Sequence, residues 1–431
     1  MTVTIFPGVP LTGTLDAIPS KSAAHRLMIC AALADGPTTI TCPQRSQDID
    51  ATAACMRALG ARVTRTKKGF RVVPVCAESP ERGALLDCGE SGSTLRFLLP
   101  VVAALGCDAS LTGHGRLPER PLSPLYEELV AHGALLGPQG AMPLSVGGRL
   151  ESGRYEIAGN VSSQYVSGLL LAAPLMDGGC EVLVTEPIES LPYIDITVAA
   201  LAQFGVEVAR EKFDDGERRG LLFRVPAGSW LRTPGQVRVG GDWSNAAFWL
   251  AAGALSEEGV TVEGVDLRST QGDRAILAAL AMLGARVERG ASSVTVRPDA
   301  LRGCKLDVRS CPDLVPPLAA VAACAQGTTT ICGAERLRIK ESDRLQTVSD
   351  AVRALGGRVD QTADGLVIEG VPELSGGVAD AANDHRIAMM SAVLASRAQG
   401  PSAIRGAQCV AKSYPAFFED FLALGGSCAE I

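Results

Sequence analysis

Lys340, Glu341, Asp343 and Arg344 fall together in the segment "RIKESDRL" (residues 338–345), at what reads as a strand-to-helix junction. A solvated helix end would account for them, with Lys340 four residues before Arg344. On the rim of a cleft the same side chains could do chemistry. Lys340 and Arg344 would turn towards an anion, and Glu341 would be available for proton transfer.

Other segments repeat this logic at helix starts. In "IPSKSAAHRLMICAAL" (18–33), Ser20 or Ser22 could cap an Ala-rich helix, with Lys21 at its mouth and Arg26 one turn in. In "GESGSTLR" (89–96), Gly89, Ser91, Gly92, Ser93 and Thr94 would let backbone amides approach a charged ligand ahead of Arg96. The lysine spacing of a P-loop is missing there. "GRLPERPLSPL" (115–125) sets Arg116, Glu119 and Arg120 before a helix, with Pro121 suited to its first turn. "VSSQY" (161–165) offers Ser162, Ser163 and Gln164, all uncharged hydrogen-bonding groups.

The C-terminal half adds acids and further cations. Asp313 heads the apolar "CPDLVPPLA" helix, Asp384, His385 and Arg386 head "NDHRIAM", and Lys412 precedes a helix in "AKSYP", where Pro415 lies near the start. An acid at a helix N-terminus is explained by the macrodipole alone. A cation there is unfavourable without an anion to offset it. Lys21, Arg120, Arg386 and Lys412 fall at or just ahead of expected helix starts. Together they imply a ligand bearing more than one anionic group.

The elements that must position these residues recur along the chain. A helix, a Leu-Gly-Ala-like stop and a short strand appear in "MRALGARV", "LAMLGARV" and "VRALGGRV". A small-residue helix, a Gly turn and a β-branched strand appear in "AALADGPTTI" and "ACAQGTTTICG". Gly stops each helix by accepting the left-handed conformation, and β-branched residues begin the next strand. Six copies of roughly 70 residues, each strand–helix–strand–helix–strand–strand, would fill the chain. The expected fold is α+β and two-lobed, with three repeated units per lobe in an inside-out α/β barrel arrangement. One lobe would hold residues 1–20 and 240–431, the other 21–239, joined by a hinge that the chain crosses twice. "SNAAFWLAAGAL" and "DLVPPLAAVAACAQG" are apolar on nearly every side, so they belong inside.

Composition bounds the function. A formal charge of −7 argues against nucleic acid as a partner. No basic segment followed by an apolar one opens "MTVTIFPGVPLTGTL", and no run of about 18 uncharged apolar residues would span a membrane. Thirteen singly scattered cysteines, without metal-ligand spacing, read as reduced, mostly buried thiols. A cytoplasmic location and small-molecule substrates are the expectation.

The ordered series "SKSAAHR", "GESGSTLR", "PERPL", "VSSQY", "SLPYIDIT", "CPDLVPPLA", "RIKESDRL", "NDHRIAM" and "AKSYP" resembles the EPSP synthase family, the 3-phosphoshikimate 1-carboxyvinyltransferases, nearly end to end. Each motif alone is weak; nine in order are specific. The resemblance implies transfer of the enolpyruvyl group from phosphoenolpyruvate to the 5-hydroxyl of shikimate 3-phosphate, on the route to chorismate and the aromatic amino acids. It implies no metal, no organic cofactor and a monomer. Ligand binding is expected to close the lobes, because Lys21, Arg120 and Gln164 lie in one half and Asp313, Glu341 and Arg386 in the other.

Carried over by motif, Lys21, Ser22, Arg26, Ser162, Ser163, Gln164, Ser190, Asp313 and Lys340 would bind shikimate 3-phosphate. Lys21, Gly92, Arg120, Gln164, Arg344, Arg386 and Lys412 would bind phosphoenolpyruvate. Asp313 would be the base on the hydroxyl and Glu341 the acid towards C3, with Lys21 a competitor for the second role. Two positions depart from the family pattern: Glu90 stands where an Asn is usual, and Arg336 replaces another Asn. The sister enzyme acting on UDP-N-acetylglucosamine is a poorer match, because its reactive Cys has no counterpart in the loop "GHGRLPERPLSP".

Overall fold

Short strands, many of them β-branched, pair into six four-stranded sheets among the described residues. The computed structural model describes residues 1–8, 10–76 and 81–430. One sheet serves for all. Ala84–Asp87 pairs in parallel with Ala109–Thr112, which pairs antiparallel with Leu144–Gly148, which pairs antiparallel with Ala134–Leu136. Every sheet repeats one parallel and two antiparallel pairings in that order. A parallel pair needs a crossover, and the crossover helix covers the sheet.

The chain divides into two compact units, Lys21–Val239 and Met1–Ser20 with Gly240–Ile431. It passes from one to the other at Ser20–Lys21 and back at Val239–Gly240. Two sheets pair strands that are remote along the chain but belong to one unit. Gly13–Asp16 pairs with Val260–Glu263, and Gln236–Arg238 pairs with Thr38–Thr41. The N-terminal strand Thr2–Phe6 sits between Ser402–Arg405 and Ser427–Glu430, so the two chain ends share a sheet.

In the unit Lys21–Val239 the helices are α1 (Lys21–Ala32), α2 (Gln47–Ala58), α3 (Gly92–Leu105), α4 (Leu125–Ala131), α5 (Ser163–Ala172) and α6 (Leu191–Gln203). In the other unit they are α7 (Trp243–Leu255), α8 (Ile276–Met282), α9 (Val315–Ala322), α10 (Arg344–Ala354), α11 (His385–Ala395) and α12 (Phe417–Ala423). The crossover helices α7, α9 and α11 are buried along their whole length, and α3 and α5 nearly so. In one unit α7, α9 and α11 pack on one another, and in the other α3 packs on α5, which is why their sequences are apolar on all sides. The alternate helices α2, α6, α8 and α10 bury one face only.

One local expectation is corrected. Pro121 does not open a helix: a 3₁₀ turn spans Leu117–Glu119, and α4 begins at Leu125 behind Pro124. The residue before a proline is pushed out of the helical region, so Ser123 cannot be helical and the start moves past Pro124.

Candidate active site

The helix starts carry the charge, and in each unit they meet. In the unit Lys21–Val239, Lys21 Nζ lies 2.7 Å from Asp48 Oδ2. Arg26, 2% exposed, donates from Nε to Thr197 Oγ1 (2.6 Å), from Nη1 to the Ser22 carbonyl (2.6 Å), and from Nη2 to Ser167 Oγ (3.2 Å) and the Tyr193 carbonyl (3.0 Å). One buried guanidinium therefore ties together the starts of α1 and α6 and the first turns of α5. Its planar fork suits this better than a lysine would.

A second buried cation binds α3 to α5. Arg96 Nη1 donates to Gln164 Oε1 at 2.7 Å, and Gln164 Nε2 donates to Ser93 Oγ at 2.9 Å. The Pro121 carbonyl accepts from Arg96 Nη2 (2.9 Å) and Tyr165 Oη (2.6 Å), which fixes the loop carrying Arg120. Arg120 lies over the start of α3: a Cβ built on Gly92 would stand 2.5 Å from its Nη1. A side chain at position 92 would have to displace that guanidinium. Ser162 caps α5, its Oγ accepting from Gln164 N. Ser190 holds the N-cap position of α6 without a side-chain capping bond, in the left-handed region (φ 54°), a strained backbone of the kind found at ligand sites.

The other unit gathers acids and cations around Asp313, just ahead of α9. Arg344 Nη1 approaches Asp313 Oδ1 at 2.8 Å, Arg386 Nη2 approaches Oδ2 at 3.0 Å, and Lys340 Nζ stands 3.9 Å from Oδ1. Arg344, 1% exposed, also bonds Asp384 through Nε (2.7 Å) and Glu341 through Nη2. Burial pushes the Asp313 carboxyl up, but Arg386, Lys340 and Arg344 overcome it and hold the group well below the usual carboxylate range. Burial lowers the Lys340 ammonium to about 8, against the pull of Asp313. Asp273, buried beside Asp313, is pushed up to about 6 by burial, with Arg386 opposing. Lys412 Nζ donates to the Asn383 carbonyl at 2.6 Å, and Asn383 itself is left-handed (φ 55°) just before the Asp384 cap of α11.

Lys21, Ser22, Arg26, Gly92, Ser162, Ser163, Gln164 and Ser190 thus stand at the helix starts of one unit, with Arg120 in the loop ahead of α4. Asp313, Lys340, Glu341, Arg344 and Arg386 do so in the other, where Lys412 ends a 3₁₀ turn ahead of α12. The opposition of cations to helix dipoles is answered differently from the sequence expectation. Lys21, Arg344 and Arg386 are already matched by carboxylates within their own units. Asp48 gave no sequence signal, because its pairing with Lys21 spans 27 positions. Arg96 and Asp384 were visible as helix-start residues, but their partners lie 68 and 40 positions away. Among the described residues no group of His, Cys, Asp or Glu is arranged to hold a metal ion, and no helix is long and apolar enough to cross a membrane.

Fold and charge define an α+β protein of two three-sheet units, with buried cationic and hydroxyl side chains at its helix starts. The family model for EPSP synthase (3-phosphoshikimate 1-carboxyvinyltransferase) matches residues 5–421, and the chain belongs to that family. The 3-phosphoshikimate 1-carboxyvinyltransferase of Clostridium kluyveri is 40% identical over 423 residues, covering 97% of this chain and 96% of the relative. That of Clostridium novyi is 36% identical over 425 residues, covering 96% of each. The structure of EPSP synthase from Acinetobacter baumannii matches at a TM-score of 0.81 and 28% identity over 100% of both chains. The enolpyruvyl transferase NikO of Streptomyces tendae, 20% identical, shares the fold at a TM-score of 0.77, over 99% of this chain and 98% of its own.

Proposed function

We propose that the chain transfers the carboxyvinyl group of phosphoenolpyruvate to the 5-hydroxyl of shikimate 3-phosphate and releases phosphate. The observation that supports the residue roles best is the convergence of Arg344, Arg386 and Lys340 on one carboxylate, Asp313. Two arginines and a lysine around a single ionised acid form a site able to take an anionic donor while offering a base to a hydroxyl.

The reaction proceeds by addition and elimination. Asp313 accepts the proton of the 5-hydroxyl as its oxygen bonds C2 of the donor, and C3 gains a proton from Glu341. The tetrahedral intermediate then loses a C3 proton, and the C2–O bond to phosphate breaks. In the ligand-free protein the arginines hold Asp313 ionised but weakly basic. Donor phosphate and carboxylate draw Arg344 and Arg386 away, which raises its basicity when the hydroxyl is in place. The same exchange frees Glu341 from Arg344. Lys412 joins these arginines on the donor.

Lys21, Ser22, Arg26, Ser162, Ser163, Gln164 and Ser190 hold shikimate 3-phosphate together with Asp313 and Lys340. Lys21, Gly92, Arg120 and Gln164 complete the donor contacts. Lys21 competes with Glu341 as the source of the C3 proton. Glu90 and Arg336 are left without a ligand role.

Phosphate release, measured with each substrate alone and then with both, tests the reading. Release is expected only when both are present, and Asp313→Asn is expected to lower kcat by about 100-fold or more, within the usual range for a general base. Release from phosphoenolpyruvate alone, or an unimpaired Asp313→Asn enzyme, would overturn it.

A further inference from the structure

His25 is fully buried in the first turns of α1, and its ring nitrogens have unequal fates. Nδ1 lies 2.7 Å from Thr52 Oγ1, while Nε2 has no hydrogen-bond partner and the ring meets Phe97 edge to face. From Thr52 the contacts continue. Thr52 Oγ1 is 2.7 Å from Thr94 Oγ1, and Thr94 Oγ1 donates to Ser91 Oγ at 2.9 Å. Thr52, Thr94 and Ser91 are all buried.

Each hydroxyl has one proton, so the direction of this chain can be counted out. Thr94 spends its proton on Ser91, so it accepts from Thr52. Thr52 Oγ1 also reaches the Asp48 carbonyl at 3.4 Å, and with its one proton given to Thr94 or to that carbonyl it can only accept from the ring, which assigns the proton to Nδ1 of a neutral His25. Burial, with Lys21 and Arg26 nearby, holds the imidazole pKa well below its ordinary value and keeps the ring in this form. Ser91 Oγ accepts from both the amide and the hydroxyl of Thr94. Its own proton is therefore not used within the chain, and it stands at the cap of α3 beside Gly92, over which Arg120 lies.

A histidine with a stranded buried nitrogen is a costly way to fill space; a leucine or phenylalanine would do so without the penalty. What His25 supplies and they cannot is a donor of fixed direction. At its other end, Thr52 sits one turn along α2 from Asp48, the partner of Lys21.

We propose that His25, Thr52 and Thr94 are positioning residues for the donor: their one-way hydrogen-bond chain sets the Ser91–Gly92 turn as a donor surface for the anionic end of phosphoenolpyruvate. The chain does not serve the acceptor. This rests on the reading of function given above. Of the elements it joins, α1 carries Lys21, Ser22 and Arg26 of the acceptor set, whereas the chain ends at Ser91, beside Gly92, which belongs to the donor set alone.

Steady-state kinetics on Thr52→Val and Thr52→Ser test it. Valine keeps the volume and removes the hydroxyl; serine restores it. Losing one buried hydrogen bond should raise the KM for phosphoenolpyruvate about tenfold in Thr52→Val, with the KM for shikimate 3-phosphate and kcat within about twofold. Thr52→Ser should return the donor KM to within about twofold of wild type. If Thr52→Val does not fold by thermal melting, Thr94→Val is measured in its place, with the same expectation. An unchanged donor KM would overturn the proposal. So would equal losses on both substrates that serine fails to rescue, since those mark a purely structural role. A wild-type protein that releases no phosphate with both substrates would sink the functional reading instead, and that result is distinct from either.

Discussion

Arg344 spends its nitrogens on carboxylates of Asp384, Asp313 and Glu341, three acids from separate stretches of chain. Burial alone would pull its pKa down, but Asp384, Glu341 and Asp313 raise it, so it is a permanent cation. Lys340 beside it is of a different kind, because burial brings its ammonium to about 8. A lysine with a lowered pKa is charged below that value and loses its charge as pH rises through it. If Lys340 holds shikimate 3-phosphate as a cation, kcat/KM for that substrate should fall about tenfold per pH unit above about 8. Lys340→Arg should retain the charge and move this alkaline limb upward. A limb at the same pH in both enzymes would assign the titration to another group.

At the scale of elements, the contact between α3 and α5 carries the site in its unit. Pro100 inside α3 has no N–H and cannot bond the Arg96 carbonyl four residues back. Gly168 of α5 packs against that carbonyl so closely that a Cβ would stand 2.3 Å from the oxygen. The close approach delivers Gln164, one turn earlier on α5, to Arg96 and Ser93. Backbone cannot swing aside as a side chain can, so Gly168→Ala must push the helices apart. Urea unfolding should show a loss of about 1–3 kcal/mol, the usual range for overpacking. The KM values for both substrates should rise with it, because Gln164 is assigned to both. Unaltered stability would mean that the two helices slide freely.

At the scale of the molecule, each unit repeats one sheet pattern three times and brings its buried helix starts together. Lys21, Arg120 and Gln164 belong to one unit, and Asp313, Glu341 and Arg386 to the other. On the roles proposed above, shikimate 3-phosphate draws on residues of both sets. Small-angle scattering should therefore show a smaller radius of gyration after addition of shikimate 3-phosphate. An unchanged radius would count against that demand on the fold.

What the sequence by itself determined was the repeat, the buried helices and the residue types at their starts. These are local matters: a glycine stop, a β-branched strand and an apolar helix such as "SNAAFWLAAGAL" are written within a dozen residues of one another. The family was legible too, because nine short motifs keep their order. Partnership was not. That Lys21 faces Asp48, that Arg96 holds Gln164 and that Arg344 binds Asp384 are decided only by folding. The helix start after Pro121 was also misplaced, because the restriction acts on the residue before the next proline. Coulomb and hydrogen-bond energies depend on distance in space, and a linear chain records distance only along itself.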